Sequence, residues 1–498
     1  MPIKNQPAIS LSAGVGKDPG VLVVGLAEAS EGEILVGLPD DLGRAFTRAL
    51  GSEVAVLARQ LGGSAKTGKT ALIAGPGGQQ VVVVGLGPID VTPEQVRRAA
   101  GAAVRLVAGL PAPAPHTVTI SLDAAEPQVV KGIAEGALLG AYSYRPAGEG
   151  KPGIGQIVLV SPKSKTEAKQ ALDLAVTTAA AVVEAREWVN TPANQLYPES
   201  FANAVIASVK GTKVDVEVWD DAALERDGFG GLMAVGGGSV RKPRLVKLSY
   251  APRGAKFHLA LIGKGITFDT GGVNLKAADG MYTMKADMAG AAAVLAATSA
   301  IAEFGLRIRV TAWAALAENM PSGGAYRPSD VLRIYGGKTV ENGNSDAEGR
   351  LVMADALVKS AEEHPDLVID VATLTGACMV ALGERVAGLM AREDETADLV
   401  LDAAEAAGEQ FWQLPIPEDA RPKLDSQVAD IKSTGDKYGG ALTAAAFLSE
   451  FVPVATPWAH LDIAGPAFNP ASAYDYTPSG GTGMGVRTLI ALAHGLAG

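Results

Sequence analysis

The sequence predicts an α/β protein of two domains, each a mixed, largely parallel sheet flanked by helices, joined by a long helix. Three observations lead there. Short β-rich runs alternate with alanine-rich helical stretches along the chain, the pattern of a sheet whose crossovers are helices. One segment, Thr166 to Val189, keeps helical periodicity without a Gly or Pro and then stops at the breaker-rich "NTPANQLYP". The 498 residues, 48% of them hydrophobic and 19% charged, suit two or three packed domains and are too apolar for disorder.

The elements follow in chain order. In the N-terminal domain, 1–165, the runs "VLVVG" (21–25), "VVVVG" (81–85), "TVTISL" (117–122) and "IVLVS" (157–161) read as buried strands with helical segments between them. Residues 166–189 form the linking helix. The C-terminal domain, 190–498, repeats the alternation with strands at "LALIG" (259–263), "IRVTAWAAL" (308–316) and "LVIDVATL" (367–374), and a helix at "AGAAAVLAATSAIAEF" (289–304). Neither internal repeats nor low-complexity tracts occur beyond a richness in alanine and glycine.

Composition narrows the function. A formal charge of −11, with no lysine/arginine cluster, argues against nucleic acid as the main partner. The start "MPIKNQPAIS" has no apolar signal core, and no stretch reaches the roughly 18 uninterrupted apolar residues of a membrane span. The expectation is a cytoplasmic protein without a membrane partner. A single cysteine, Cys378, cannot form an internal disulfide, and it reads as a small buried hydrophobe rather than a nucleophile. With five histidines in the chain, chemistry must lean on carboxylates, lysines and arginines.

Two glycine motifs are decoys. Residues 63–70, "GSAKTGKT", match the P-loop pattern at every fixed position. A phosphate cradle needs a strand before it and a helix after it, whereas here "EVAVLARQLG" reads as helix and "ALIAGPGG" as a broken strand. A nucleotide hydrolase using Lys69 is therefore the runner-up, and a nucleic-acid-binding regulator the third reading. "GLGPID" at 85–90 follows a strand, but carries Asp90 where a dinucleotide fingerprint has glycine, and it reads as a strand-end turn.

The chemistry lies in two stretches. In "LIGKGITFDTGGVNLKAADGMYTMKADMAG" (261–290) an apolar strand ending at Gly263 places Lys264 at its tip, and Asp269 precedes the tight turn Gly271-Gly272. Lys276 follows that turn, and Asp287 stands near the start of the alanine-rich helix. In "NGNSDAEGRL" (342–351), Asp346, Glu348 and Arg350 at alternate positions would share one side of an extended segment, with Gly349 allowing close backbone approach. Four carboxylates, from 269, 287, 346 and 348, are hard oxygen donors of the kind that bind divalent cations, and two dications would balance them. Such a centre activates water near neutral pH and polarises a carbonyl, which is hydrolytic chemistry.

The series Lys264, Asp269, Lys276, Asp287, Asp346, Glu348 and Arg350, with "NSDAEGRL" as signature, resembles the leucyl aminopeptidase (cytosol aminopeptidase) family. The likeness runs from about residue 186 to the end, through "REWVNTPAN", "GERVAGLM" and "GGTGMGVRTLI", and is weak before it. It implies an aminopeptidase that removes leucine-like N-terminal residues from peptides with a free N-terminus. It further implies two divalent metal ions per subunit, Mn2+ or Zn2+, and a homohexamer. By the same resemblance Asp269 and Glu348 bridge the metals, Lys264 and Asp287 complete the tighter site, and Asp346 serves the exchangeable one. Lys276 stabilises the oxyanion, Arg350 holds a bicarbonate acting as general base, and Met284, Thr373 and Leu374 belong to the substrate wall. Ser345 stands where the family motif has threonine, a change with no expected consequence. Asn342-Gly343 replace two apolar residues and put the strand leading to Asp346, and with it the exchangeable site, in question.

Overall fold

Apolar runs too continuous to face water on either side, valine-rich in the first sheet and rich in leucine and alanine in the second, form the centre of both main sheets in the computed structural model, which describes residues 6–111, 116–145, 153–161 and 165–498. The chain divides into two units, Met1–Val183 with Ala471–Ser479, and Glu184–Pro470 with Gly480–Gly498. The division falls inside the 26-residue helix Lys165–Asn190.

In the first unit a seven-stranded sheet runs in the order Ala8–Ser12, Ile154–Val160, His116–Ser121, Val21–Ala29, Gln80–Pro88, Thr70–Ala74, with Gly32–Val36 paired on Val21–Ala29. Its pairings are parallel except for Thr70–Ala74 and Gly32–Val36, which pair antiparallel with their neighbours. The P-loop-like stretch 63–70 lies between the helix Val54–Gln60 and the strand Thr70–Ala74, the reverse of the order a phosphate cradle requires. Its backbone is engaged with the next strand: the Gly68 N–H donates to the Gly85 carbonyl (2.9 Å), and the Gly85 N–H to the Lys69 carbonyl (2.8 Å). Gly87, in the second decoy, sits at φ +85° near the end of the strand Gln80–Pro88.

In the second unit an eight-stranded mixed sheet follows the order Phe411–Gln413, Ala387–Ala391, Trp458–Asp462, Leu367–Ala372, His258–Asp269, Arg309–Asn319, Arg244–Tyr250, Asp215–Trp219. The four central strands, from Trp458–Asp462 to Arg309–Asn319, are parallel. The helix Ala289–Phe304, whose span is the one expected from sequence, packs so tightly on His258–Asp269 that a Cβ at Gly263 would lie 2.5 Å from Ala291 Cα. Among the described residues one helical stretch, Ala278–Phe304, has the length and apolarity of a membrane span, and 83% of its apolar window is buried inside the protein as core.

One sequence expectation changes here. The strand does not end at Gly263 but continues from His258 to Asp269, with a shift in its pairing between Ile266 and Phe268, so Lys264 lies within it and Asp269 at its tip. Gly263, read as the strand's end, serves close packing instead, as does Gly265, where a Cβ would stand 2.4 Å from the Leu316 side chain and 2.8 Å from the Ala315 carbonyl.

Candidate metal centre

The parallel strands His258–Asp269 and Arg309–Asn319 end in register, Asp269 opposite Asn319. The chain turns sharply after Asp269 through Gly271 (φ +85°) and Gly272 (φ +64°), a left-handed pair that residues with a Cβ rarely adopt. This turn brings Lys276 back over the strand tip. Asp287 follows the short helical turn Met284–Ala286, just ahead of the long alanine-rich helix. Asp346 lies in a turn, and Glu348 opens the helix Glu348–Ala361. The expected extended segment through Asp346, Glu348 and Arg350 is therefore corrected: the chain coils at Glu348, and in a helix residues two apart face different ways. Glu348 at the first turn also suits the helix dipole.

Despite that, the carboxylates converge. One oxygen each from Asp269, Asp346 and Glu348 lie within 4.8 Å of one another. Lys276 Nζ bridges Asp269 Oδ2 (2.8 Å) and Asp346 Oδ1 (2.6 Å). Lys264 Nζ bridges Asp287 Oδ1 and Glu348 Oε1, both at 2.8 Å, and donates to the Thr373 carbonyl at 3.0 Å. The Thr373 hydroxyl donates to Asp287 Oδ1 at 2.8 Å. Gly349 lies against Lys264, where a Cβ would come 2.4 Å from the lysine Cε, so the glycine before Arg350 makes room for that side chain.

Burial sets the electrostatics. It pushes Asp269 up to about 6, helped by the Glu348 charge and opposed by the two lysines. Burial likewise raises Asp287 well above the carboxylate range despite Lys264, and raises Asp346 against the pull of Lys276. For Glu348 the ammonium groups of Lys264 and Lys276 overcome burial and hold the carboxyl below its usual value. Burial alone would lower Lys264 and Lys276, but the surrounding carboxylates outweigh it and raise both. Asp287 Oδ2 and Glu348 Oε2 are buried without a hydrogen-bond partner. Unpartnered carboxylate oxygens beside an amine are a donor set that fits divalent cations, and a buried cluster this acidic gains from their charge.

Sequence reasoning missed several residues that shape the site. Asn319, Tyr326 and Ser345 tie the Asp269 tip to the Asp346 turn. Asp462, fully buried, accepts from the Leu374 N–H (3.1 Å) and the Thr375 hydroxyl (2.7 Å), fixing the "TLTG" segment. Ser345 lies inside the "NSDAEGRL" signature, where its replacement of threonine carries no expected consequence, whereas Asn319, Tyr326 and Asp462 belong to no spaced motif and no local pattern points to them. Arg350 is buried, lowered by that burial to about 10 against the charges of Glu348 and Asp462, and donates to the Ser433 carbonyl at 2.7 Å. Met284 and Leu374 are half-buried. Cys378 is buried and pushed up to about 12, as suits an inert thiol. Asn342 is fully buried, its amide donating to the Arg327 carbonyl (3.1 Å), while a Cβ at Gly343 would lie 2.2 Å from Thr434 Oγ1. The polar pair thus builds the approach to Asp346.

The sequence profile described as "Cytosol aminopeptidase family, catalytic domain" matches residues 183–490. The chain belongs to the cytosol aminopeptidase family. The family's N-terminal domain profile matches residues 23–146, so the kinship extends into the half where the sequence resemblance was weak. A probable cytosol aminopeptidase of Cutibacterium acnes is 49% identical over 502 residues, covering 100% of this chain and 98% of that protein. One from Streptomyces avermitilis is 47% identical, covering 97% of each. Among solved structures, the bottromycin maturation enzyme BotP in complex with Mn superposes with a TM-score of 0.84 at 37% identity, over 96% of this chain and 100% of that one. A tomato leucine aminopeptidase mutant gives 0.85 at 29% identity, over 99% and 97%. As a cytosol aminopeptidase family member the protein is a metal-dependent exopeptidase acting on peptides.

Proposed function

We propose that the protein releases N-terminal residues, leucine-like ones preferred, from peptides with a free N-terminus, using two divalent ions held by Lys264, Asp269, Asp287, Asp346 and Glu348. The observation that carries this reading is the convergence of four carboxylates and two ammonium groups around the tip of one strand, with two buried carboxylate oxygens lacking partners. In this assignment Asp269 and Glu348 are shared by both ions, Lys264 and Asp287 complete the tighter site, and Asp346 serves the exchangeable one. When bound, the ions supply Lewis acidity towards the scissile carbonyl and an activated water. Lys264 Nζ must be neutral to act as a ligand, an inversion that only a cation beside it can produce. Lys276 Nζ keeps its proton and donates to the oxyanion that develops on the carbonyl. Arg350 would hold a bicarbonate that takes the proton from the attacking water, since none of the four cluster carboxylates, Asp269, Asp287, Asp346 and Glu348, is then free for that job. Met284, Thr373 and Leu374 would line the substrate side.

Manganese is favoured by the Mn named with the BotP structure, and zinc remains the other candidate. A cytoplasmic homohexamer is the assembly and location proposed by family likeness. Chelated protein should lose peptidase activity and regain it with Mn2+ or Zn2+. Full activity in rigorously metal-free protein would sink the mechanism.

A further inference from the structure

Asn319, the last residue of its strand, is buried, and its amide nitrogen makes two hydrogen bonds. One goes to Asp269 Oδ1 at 2.8 Å, the other to the Ser345 carbonyl at 2.9 Å. Both partners are acceptors, so the amide orientation is fixed by chemistry. One partner belongs to a carboxylate of the cluster, the other to the residue just before Asp346. A single side chain therefore ties together the two segments that carry Asp269 and Asp346. The Asn319 carbonyl also accepts from Thr270, through the backbone N–H (3.1 Å) and the hydroxyl (2.7 Å), which fixes the strand tip itself. The Tyr326 hydroxyl donates to the same Ser345 carbonyl at 2.7 Å, and the Ser345 hydroxyl donates to the Gly271 carbonyl at 2.7 Å. The other half of the cluster has its own support: Thr373 accepts from Lys264 and donates to Asp287.

We infer that Asn319 is a positioning residue for one ion of the pair: it sets the spacing of Asp269 and Asp346, so its loss weakens ion binding at the Asp346 half while the Lys264–Asp287 half keeps its affinity. The inference rests on the two-ion reading above. Without the amide, Asp269 Oδ1 keeps the Gly271 N–H at 2.8 Å and the Ser345 carbonyl keeps the Tyr326 hydroxyl, while the segments stay linked through the turn, by the Ser345 hydroxyl on the Gly271 carbonyl, and through the long Lys276 side chain; the short, rigid tie from the Asp269 carboxylate to the Asp346 segment is the one that is lost. Asn319→Asp preserves volume and turns an oxygen towards two acceptors, driving the segments apart. Loss of such outer hydrogen bonds costs about 10- to 100-fold in metal affinity.

The test titrates chelated wild type, Asn319→Asp and Tyr326→Phe with Mn2+, reading stoichiometry, affinity and the electron paramagnetic resonance spectrum, with the melting temperature of each metal-free protein alongside. Wild type should bind two ions per chain with an exchange-coupled signal. Asn319→Asp should bind one ion normally and the second about 10- to 100-fold more weakly, with the six-line signal of isolated Mn2+ at low loading. Its metal-free melting should stay close to wild type. Tyr326→Phe, which removes one of two donors to Ser345, should weaken the second ion by a smaller factor, and it carries the test if Asn319→Asp does not fold. Two ions bound at wild-type affinity in the variants would overturn the inference, as would equal weakening of both ions. Wild type that takes up fewer than two ions would instead refute the proposed function, so the two failures are distinguishable.

Discussion

Replacing each of the two cluster lysines by alanine should give opposite signatures. Lys276 Nζ sits 2.8 Å from Asp269 and 2.6 Å from Asp346, with the side chain 19% exposed. As the oxyanion donor its loss should lower kcat by about 10²- to 10³-fold, equivalent to about 2.7–4 kcal/mol of transition-state stabilisation. The same substitution removes a cation that competes with metal for two carboxylates, so metal affinity should hold or tighten. Lys264 differs: its side chain is 4% exposed, and it compensates Asp287 and Glu348 at 2.8 Å each. Lys264→Ala leaves both acids buried without that counterion, which should cost the metal-free protein about 3–5 kcal/mol. It also removes an amine ligand, so ions should leak on dialysis. The assay is kcat on leucine p-nitroanilide together with metal content after dialysis and the melting temperature of the metal-free forms. If Lys276→Ala lost its metals while Lys264→Ala kept both, the assignment of the two lysines would be wrong.

Two further predictions concern other parts of the chain. Lys69→Ala should leave peptide hydrolysis unchanged and calorimetry should detect no nucleotide on the parent protein, because the N–H groups of Ala65, Gly68 and Lys69 are engaged by Glu33, Gly85 and Lys66; micromolar ATP binding lost in the variant would revive the nucleotide reading. His258, buried beside Thr311, has its pKa lowered to about 4 by burial and then by Arg309. A folded pKa below the unfolded value of about 6.5 means that this contribution is present above pH 6.5 and is lost as pH falls towards 4. Urea midpoints of wild type should therefore fall more steeply across that window than those of His258→Asn, and parallel profiles would contradict the assignment.

Much of this was legible in the sequence because strong periodicity survives tertiary context. The valine runs became central strands, and the alanine-rich helix appeared with the bounds read from its pattern. The charged residues of the cluster stood out in the sequence only as a set, through their joint spacing and the "NSDAEGRL" signature, since any one alone reads as a surface charge. What failed had local causes. Gly263 mimics a strand end but serves packing against Ala291. Alternate spacing in "SDAEGR" mimics a strand, yet the chain turns and starts a helix at Glu348, a choice set by tertiary packing of Leu351, Val352 and Met353 into the core. Asn319 and Asp462 act through partners 26 to 88 residues away, a relation that no local window contains.

The measurement closest to the central claim asks which end of a peptide is cut. A pair of ions held by Lys264, Asp269, Asp287, Asp346 and Glu348 would supply Lewis acidity to both a neutral α-amine and the first carbonyl, and a free N-terminus would then be required for cleavage. N-acetylation removes the amine lone pair and adds bulk at the same point. Leu-Gly-Gly and its acetylated twin are incubated with Mn2+-loaded protein and the products followed by mass spectrometry. Stepwise release of the N-terminal residue from the free peptide, with the acetylated one intact, is the predicted result; comparable cleavage of both, or internal cuts, would contradict it.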